Sequence, residues 1–160
     1  MEKKYELTEE TFAVDGHVLH RIKALRDFGI VKKGDIGGWI ECEDNLSHDD
    51  DCWVYDNAII RDNATVRDNA TVCDNATVRG DATVRGEAIV EKISDYIVFK
   101  NWWSSGRYFT WTRSNDMWSV GCFYGTGEEL IKKAYNDSEE KGREYERIVK
   151  YVESIKQEFK

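Results

Sequence analysis

Residues 50–91 carry a six-residue pattern of apolar and polar positions that runs without a break for seven units. One position holds a small residue, Cys52 in the first unit and alanine in the others, and the position two residues later holds valine or isoleucine. Apolar residues at every second position are typical of a short strand with one buried face, whereas an amphipathic helix needs them every 3.6 residues. The residues that follow each pair, such as Arg67-Asp68-Asn69, favour turns. The pattern therefore predicts a β-solenoid whose coils bury one apolar row on the next.

The run V-R-D-N-A-T (Val66–Thr71) resembles the hexapeptide repeat of left-handed β-helix proteins. This resemblance implies a triangular prism with three hexapeptides in each coil, so that residues eighteen apart stack, with Arg61 over Arg79 and Arg67 over Arg85. It also implies trimers that pack along their long axes. Many members of this family are acyltransferases and others are structural spacers, so the resemblance predicts a fold and leaves the function open.

The segment before the repeat is predicted to cap the solenoid. Thr11–Val14 and His17–Ile22 flank Asp15-Gly16, a dipeptide that favours a type I′ turn, and together they predict a β-hairpin. An open solenoid end exposes backbone groups and apolar side chains, which need a cover. We therefore assign residues 1–38 to an N-terminal cap.

The repeat is predicted to begin before its regular units. Counting back in sixes from Cys52 places Leu46 and Ile40 in the same inward position as Cys52. The hexapeptide-repeat solenoid is accordingly assigned to residues 39–91.

The pattern changes at Lys92, and residues 92–160 are predicted to form an α+β module. Aromatic and β-branched residues separated by turn formers predict three strands. These strands are Tyr96–Trp103, Arg107–Arg113 and Met117–Tyr124. A capping box at Thr126–Glu129 predicts the start of a helix, and an apolar stripe predicts a second helix from about Glu139 to Phe159. The predicted fold is thus mainly β: a left-handed β-helix solenoid with an N-terminal hairpin cap and a C-terminal βββαα module.

Two longer stretches resemble a group of phage and prophage hexapeptide-repeat proteins that are labelled putative transferase-like. A-L-R-D-F-G…G-D-I-G-G-W-I-E…N-L-S-H (Ala24–His48) resembles their opening, and G-C-F-Y-G-T-G-E-E (Gly121–Glu129) resembles their C-terminal module. The resemblance implies a phage-type protein that acts in the cytoplasm of the host cell. It supplies no activity that can be assigned residue by residue.

Charge and composition narrow the classes of partner. A net charge of −8 disfavours duplex nucleic acid, because such binding draws on clustered lysine and arginine. No signal peptide or membrane-spanning run is recognised, which predicts a cytoplasmic protein without a membrane partner. The four cysteines form no C-x-x-C pair, so no zinc site and no cofactor are predicted. The regular spacing predicts that Asp56 and Asp74 are corner residues, and a weak cation site between these two stacked side chains is the alternative.

The most informative candidate site lies in the C-terminal module. Alternate residues of the second predicted strand place Arg107, Phe109, Trp111 and Arg113 on one face. Aromatic planes stack on bases and arginine forks fit phosphates, so this face predicts a pocket for a small anionic ligand such as a cyclic nucleotide. The alternative is that the same aromatics form the core or a subunit interface. The candidate ligand-binding residues are Arg107, Trp111, Arg113, Trp102, Trp103 and Trp118.

Three functions remain open at this point. The first is a non-enzymatic binder, in its sharpest form a sponge, assembled as a homotrimer or hexamer, that sequesters a nucleotide signal of a bacterial immune system. The second is a hexapeptide acyltransferase, for which His48 is the candidate general base, since histidine suits that role near neutral pH. The third is a structural or adaptor protein that binds another protein. No nucleophile elbow, P-loop or H-E-x-x-H motif is present in the sequence.

Overall fold

The computed structural model describes residues 2–101 and 105–158. The chain is mainly β, with several sheets and two α-helices, as predicted. It divides into two compact units, Met1–Ile93 and Ser94–Lys160. None of the helices in the described ranges has the length and apolar character needed to span a bilayer.

The first unit opens with the predicted hairpin. Strand β1 (Tyr5–Val14) pairs antiparallel with β2 (His17–Ala24), and β3 (Ile36–Ile40) joins the other edge of β2. Asp15 and Gly16 have φ angles of +50° and +82°, so the predicted type I′ turn is confirmed.

Each regular unit of the repeat forms a two-residue strand. Strands β4 to β10 are Trp53–Val54, Ile59–Ile60, Thr65–Val66, Thr71–Val72, Thr77–Val78, Thr83–Val84 and Ile89–Val90. Each pairs in parallel with the strand three units away, so that Val54 lies beside Val72 and Val72 beside Val90. These pairings confirm the predicted eighteen-residue spacing. The inward valines, isoleucine and alanines are almost completely buried, which is the apolar row that the pattern predicted.

The first coil departs from the predicted register. Ile40 pairs with Ile60 and Leu46 with Val66, twenty residues away in each case. Both therefore occupy the valine position, and the prediction that they share the position of Cys52 is wrong. The cause is the corner Ser47–Asp51, which contains two more residues than the later corners.

The corners explain why each unit of the repeat has aspartate or glycine at the same position. The residue two positions before each small inward residue lies in the left-handed region, with φ between +56° and +70°. Glycine adopts this region without strain and aspartate tolerates it. The residues in this position are Asp50, Asp56, Asp62, Asp68, Asp74, Gly80 and Gly86. The carboxylate of Asp56 also accepts the backbone N–H of Asp74, 3.1 Å away, which supports the corner role over a cation site.

The second unit is a sheet covered by helices. Strands β11 (Tyr96–Lys100), β12 (Tyr108–Thr112), β13 (Met117–Val120) and β14 (Phe123–Gly125) form an antiparallel sheet in chain order. The prediction of a single third strand over Met117–Tyr124 is wrong, because Gly121 has a φ of +56° and turns the chain back.

Two helices follow the sheet and bury one of its faces. Helix α1 (Gly127–Asp137) begins at the predicted capping box, since Thr126 Oγ1 accepts the N–H of Glu129. Helix α2 (Glu139–Ile155) begins at Ser138 and ends in a 3-10 turn, while Phe159 lies outside the described residues. The core between sheet and helices consists of Phe109, Trp111, Trp118, Val120, Leu130, Ala134, Tyr145, Val149 and Val152.

Candidate functional site

The predicted aromatic face is part of the core of the second unit. Trp111 is 1% exposed and Trp118 2% exposed, and both pack in the cluster that the helices cover. The indole N–H of Trp111 donates to Asp116 at 2.8 Å. Neither ring has a face that a base can reach in this arrangement. Trp102 and Trp103 lie outside the described residues.

The two arginines of that face have different surroundings. Arg113 forms an ion pair with the buried Asp95 at 3.3 Å, and its backbone N–H donates to the Asp95 carbonyl. This pairing gives Arg113 a structural role at the end of β12. Arg107, in contrast, is exposed and lines a cavity.

The cavity around Arg107 lies where the sheet meets α1 and α2. Its enclosed part has a volume of about 130 Å³ and adjoins an open part of about 490 Å³. The guanidinium of Arg107 covers Gly121 so closely that a Cβ atom at Gly121 would collide with it. The polar residues that line the enclosed part are Arg107, Lys133, Lys141, Asp137 and Tyr145.

The charge in this cavity favours an anion. Asp137 is the single carboxylate among the described residues that line the enclosed part, against three cations. Its pKa is lowered, first by the 3.0 Å hydrogen bond from Lys141 and also by the nearby charges of Lys133 and Arg107. The open part includes Ser138 at the N-terminus of α2, and helix N-termini attract anions. It also includes the carboxylate of Glu140, which leaves three cations against two carboxylates among the described residues of the whole cavity.

Sequence reasoning missed two of these three cations. Lys133 lies on α1 and Lys141 on α2, so no motif or strand alternation connects them with Arg107. Their polar positions in amphipathic helices predict only solvent exposure. The meeting of the two helices at Asp137-Ser138 brings them to one cavity.

His48, the candidate base, is engaged through both ring nitrogens. Its Nδ1 accepts the backbone N–H of Lys4 at 3.1 Å, and its Nε2 lies 2.8 Å from Glu43 Oε1. The ring stacks on Tyr5 with 4.1 Å between centroids. A general base needs an available lone pair, and in this geometry neither nitrogen offers one.

Within the part of the chain that the structure describes, two groups of side chains are close enough to hold a metal ion, His17 with Glu41 and Asp62, and Cys73 with Asp74 and Glu91. In the first group, Nδ1 of His17 lies 2.7 Å from Glu41 and Nε2 lies 3.4 Å from Asp62. The ring therefore bridges the two carboxylates. This bridge ties the hairpin to the repeat without requiring a metal.

Lys4 is a buried cation that the sequence did not single out. Its side chain is fully buried, and Nζ donates to the carbonyl oxygens of Cys52 at 2.7 Å, Asp50 at 3.2 Å and Asp49 at 3.4 Å. Burial lowers the pKa of Lys4, although the nearby Cys52 opposes this shift. The widened corner at Ser47–Asp51 supplies two of these acceptors, and Cys52 follows that corner directly.

Comparison with known proteins gives a limited match. No protein-family model matches the chain. Over 66 residues the chain is 41% identical to "Uncharacterized acetyltransferase YdcK" of Escherichia coli (strain K12). The match covers 36% of this chain and 20% of the relative, so it spans about a fifth of that protein's length. The similarity is to a protein named as an acetyltransferase, over this short stretch alone.

Proposed function

We propose that the protein binds a small anionic ligand without transforming it, and that the cavity around Arg107 holds the ligand. The observation that carries this proposal is the convergence of Arg107, Lys133 and Lys141 on one cavity, whose carboxylates among the described lining residues are Asp137 and Glu140. In a chain whose net charge is −8, such a local excess of positive charge would attract an anionic ligand.

The dimensions and chemistry of the cavity fit a phosphate-bearing ligand. The enclosed part of about 130 Å³ accepts a phosphate group, and the adjoining open part of about 490 Å³ has room for the rest of a nucleotide. Arg107 can donate two parallel hydrogen bonds to a phosphate, and Lys133 and Lys141 add point charges. The ligand would compete with Asp137 for Lys141, since these two groups are now paired at 3.0 Å.

The finer proposal is that the ligand is a cyclic nucleotide signal and that the protein is a phage-type sponge. It rests on the resemblance of Ala24–His48 and Gly121–Glu129 to phage proteins and on the cation-rich cavity. We further propose that the parallel ladders of the first unit form a left-handed β-helix, capped by residues 1–38 and assembled as a homotrimer. The eighteen-residue pairing supports the three-unit coil of that fold.

Calorimetric titration with cyclic mononucleotides and cyclic dinucleotides tests the proposal. The wild type is expected to bind at least one of them, and Arg107→Gln is expected to lose at least tenfold in affinity. Arg147→Gln serves as the matched control, because Arg147 is exposed on α2 and does not line the cavity. Equal affinities of wild type and Arg107→Gln would contradict the assignment of the site.

A second candidate function is acetyl transfer, which the similarity to the acetyltransferase YdcK favours. For His48 to act as the base it would have to release either the N–H of Lys4 or Glu43. Turnover with acetyl-CoA is the test: loss of turnover in His48→Ala but not in His20→Ala would support the enzyme. Absence of turnover in the wild type over a panel of amine and hydroxyl acceptors would support the binding protein.

A further inference from the structure

A groove in the first unit combines a buried arginine with apolar walls. It has a volume of about 230 Å³ and lies between the tip of the β1–β2 hairpin and the faces of β5 and β8. Val14, Ile59 and Ile93 supply apolar surface, and Asp15, Arg61 and Arg79 supply charge.

The side chain of Arg61 is mostly buried and has a single, distant counter-ion among the described residues. Its side chain is only 9% exposed, and the one carboxylate within 4 Å in the described chain is Asp15, with 3.8 Å between Nη2 and Oδ2. That carboxylate is 73% exposed at the hairpin tip. Within the same residue ranges, the guanidinium of Arg61 makes no side-chain hydrogen bond. The nitrogen atoms of this guanidinium are not fully buried, so an anion in the groove can reach them and complete their hydrogen bonding.

Arg67 and Arg85 form a comparable pair on successive coils. Both lie close to the carboxylate of Asp68, at 3.6 Å and 3.3 Å. At the groove, the carboxylate close to Arg61 is the exposed Asp15 of the hairpin, and a second arginine lies on the next coil. The backbone N–H of Arg61 donates to the carbonyl of Val78, which places Arg79 one ladder spacing of about 4.8 Å away.

We propose that this groove binds a small dianion with a short apolar portion, such as an alkyl phosphate or a dicarboxylate. The anionic group would lie against Arg61 and Arg79, where it would supply the hydrogen-bond acceptors that the buried guanidinium lacks. The apolar portion would pack on Ile59 and Val14. The site is independent of the Arg107 cavity, which belongs to the other compact unit.

NMR titration and calorimetry with three probes, propyl phosphate, succinate and inorganic phosphate, test this inference. We expect saturable binding of propyl phosphate or succinate, with weaker binding of inorganic phosphate because it leaves the apolar walls uncovered. Arg61→Gln and Arg79→Gln are each expected to weaken binding at least tenfold. Arg79 is exposed, so its variant provides a folded test even where the replacement of Arg61 disturbs the coil.

Arg67→Gln and Arg107→Gln are the controls, since both residues lie outside the groove. Unchanged affinity in these two variants, together with loss in Arg79→Gln, would support the site. Equal affinity of wild type and Arg79→Gln, equal losses in Arg67→Gln, or absence of binding for all three probes would overturn it. Loss only in Arg107→Gln would assign the anion to the C-terminal cavity instead.

Discussion

Lys4 offers the sharpest test of how the first unit is stabilised. The variant Lys4→Met keeps the length and apolar stem of the side chain and removes its three donors. Wild-type Nζ donates to the Cys52 carbonyl at 2.7 Å, and that carbonyl belongs to a fully buried residue. The Asp49 and Asp50 carbonyls belong to exposed residues of the corner, where water can replace the ammonium group. The main loss is therefore one buried acceptor.

We expect Lys4→Met to lower the free energy of unfolding by about 2 kcal/mol, the typical cost of a buried acceptor left without a donor. Lys4→Met also removes a charge that is costly to bury, and this gain offsets part of the free energy lost with the hydrogen bonds. The expected loss of stability is therefore smaller than for a broken buried ion pair. With a urea m-value of about 2 kcal/mol/M, the midpoint should fall by about 1 M. Urea denaturation read by hydrogen-exchange mass spectrometry of residues 36–72 localises the change to the first unit.

Lys3→Met is the matched control. Lys3 is largely exposed and pairs with Glu43 at 3.2 Å, a contact expected to contribute less than about 1 kcal/mol. The pH dependence gives a second check, because burial lowers the pKa of Lys4 in the folded state. The unfolded state then binds more protons between the lowered pKa and the ordinary lysine value, so the wild type should gain stability relative to Lys4→Met as the pH rises through that window. A midpoint for Lys4→Met within about 0.2 M of wild type would show that the Lys4 ammonium group does not stabilise the first unit.

Three further predictions concern a corner, a turn and a helix cap. Asp68→Ala should cost about 1–3 kcal/mol in urea denaturation, because Asp68 has a φ of +58° and accepts the Gly86 N–H, while Asp68→Gly should cost less. Burial alone would raise the pKa of Asp68, but the bond from Gly86 together with the hydrogen bond and charge of Arg85 and the charge of Arg67 outweighs it, and the pKa is lowered. The gap between wild type and Asp68→Ala should therefore narrow as acid titration passes below the ordinary carboxyl pKa. Gly121→Ala should displace Arg107, weaken ligand binding in calorimetry at least fivefold and cost about 1–2 kcal/mol for its positive φ. Thr126→Ala should cost about 1 kcal/mol by thermal denaturation of the second unit, and no measurable loss would contradict the capping role.

The regular part of the fold follows directly from residue types. A small residue and an aliphatic residue two positions apart specify an inward strand face, and aspartate or glycine in the left-handed position specifies the corner. Composition alone does not reveal the register of the first coil. The two additional residues in Ser47–Asp51 are polar like any other corner, so counting in sixes misplaced Ile40 and Leu46.

Strand alternation predicts the candidate site only in part. Alternation correctly placed Arg107 and Trp111 on the same face, since the cavity of Arg107 and the core of Trp111 both lie against the helices. The pattern does not say which face the helices cover. Because the helices cover the aromatic face, Trp111 is part of the core. Arg107 is exposed at the start of β12, where it lines one cavity with Lys133 and Lys141 from the helices.

Native mass spectrometry of the protein purified from bacterial cells, before and after addition of cyclic nucleotides, tests the proposed function most directly. It reports the oligomer mass and any retained ligand in one spectrum. We expect an oligomer that carries a nucleotide-sized adduct in the wild type and loses it in Arg107→Gln, with Arg147→Gln unchanged. An oligomer that takes up no nucleotide at any concentration tested, or an adduct that Arg107→Gln retains in full, would contradict it.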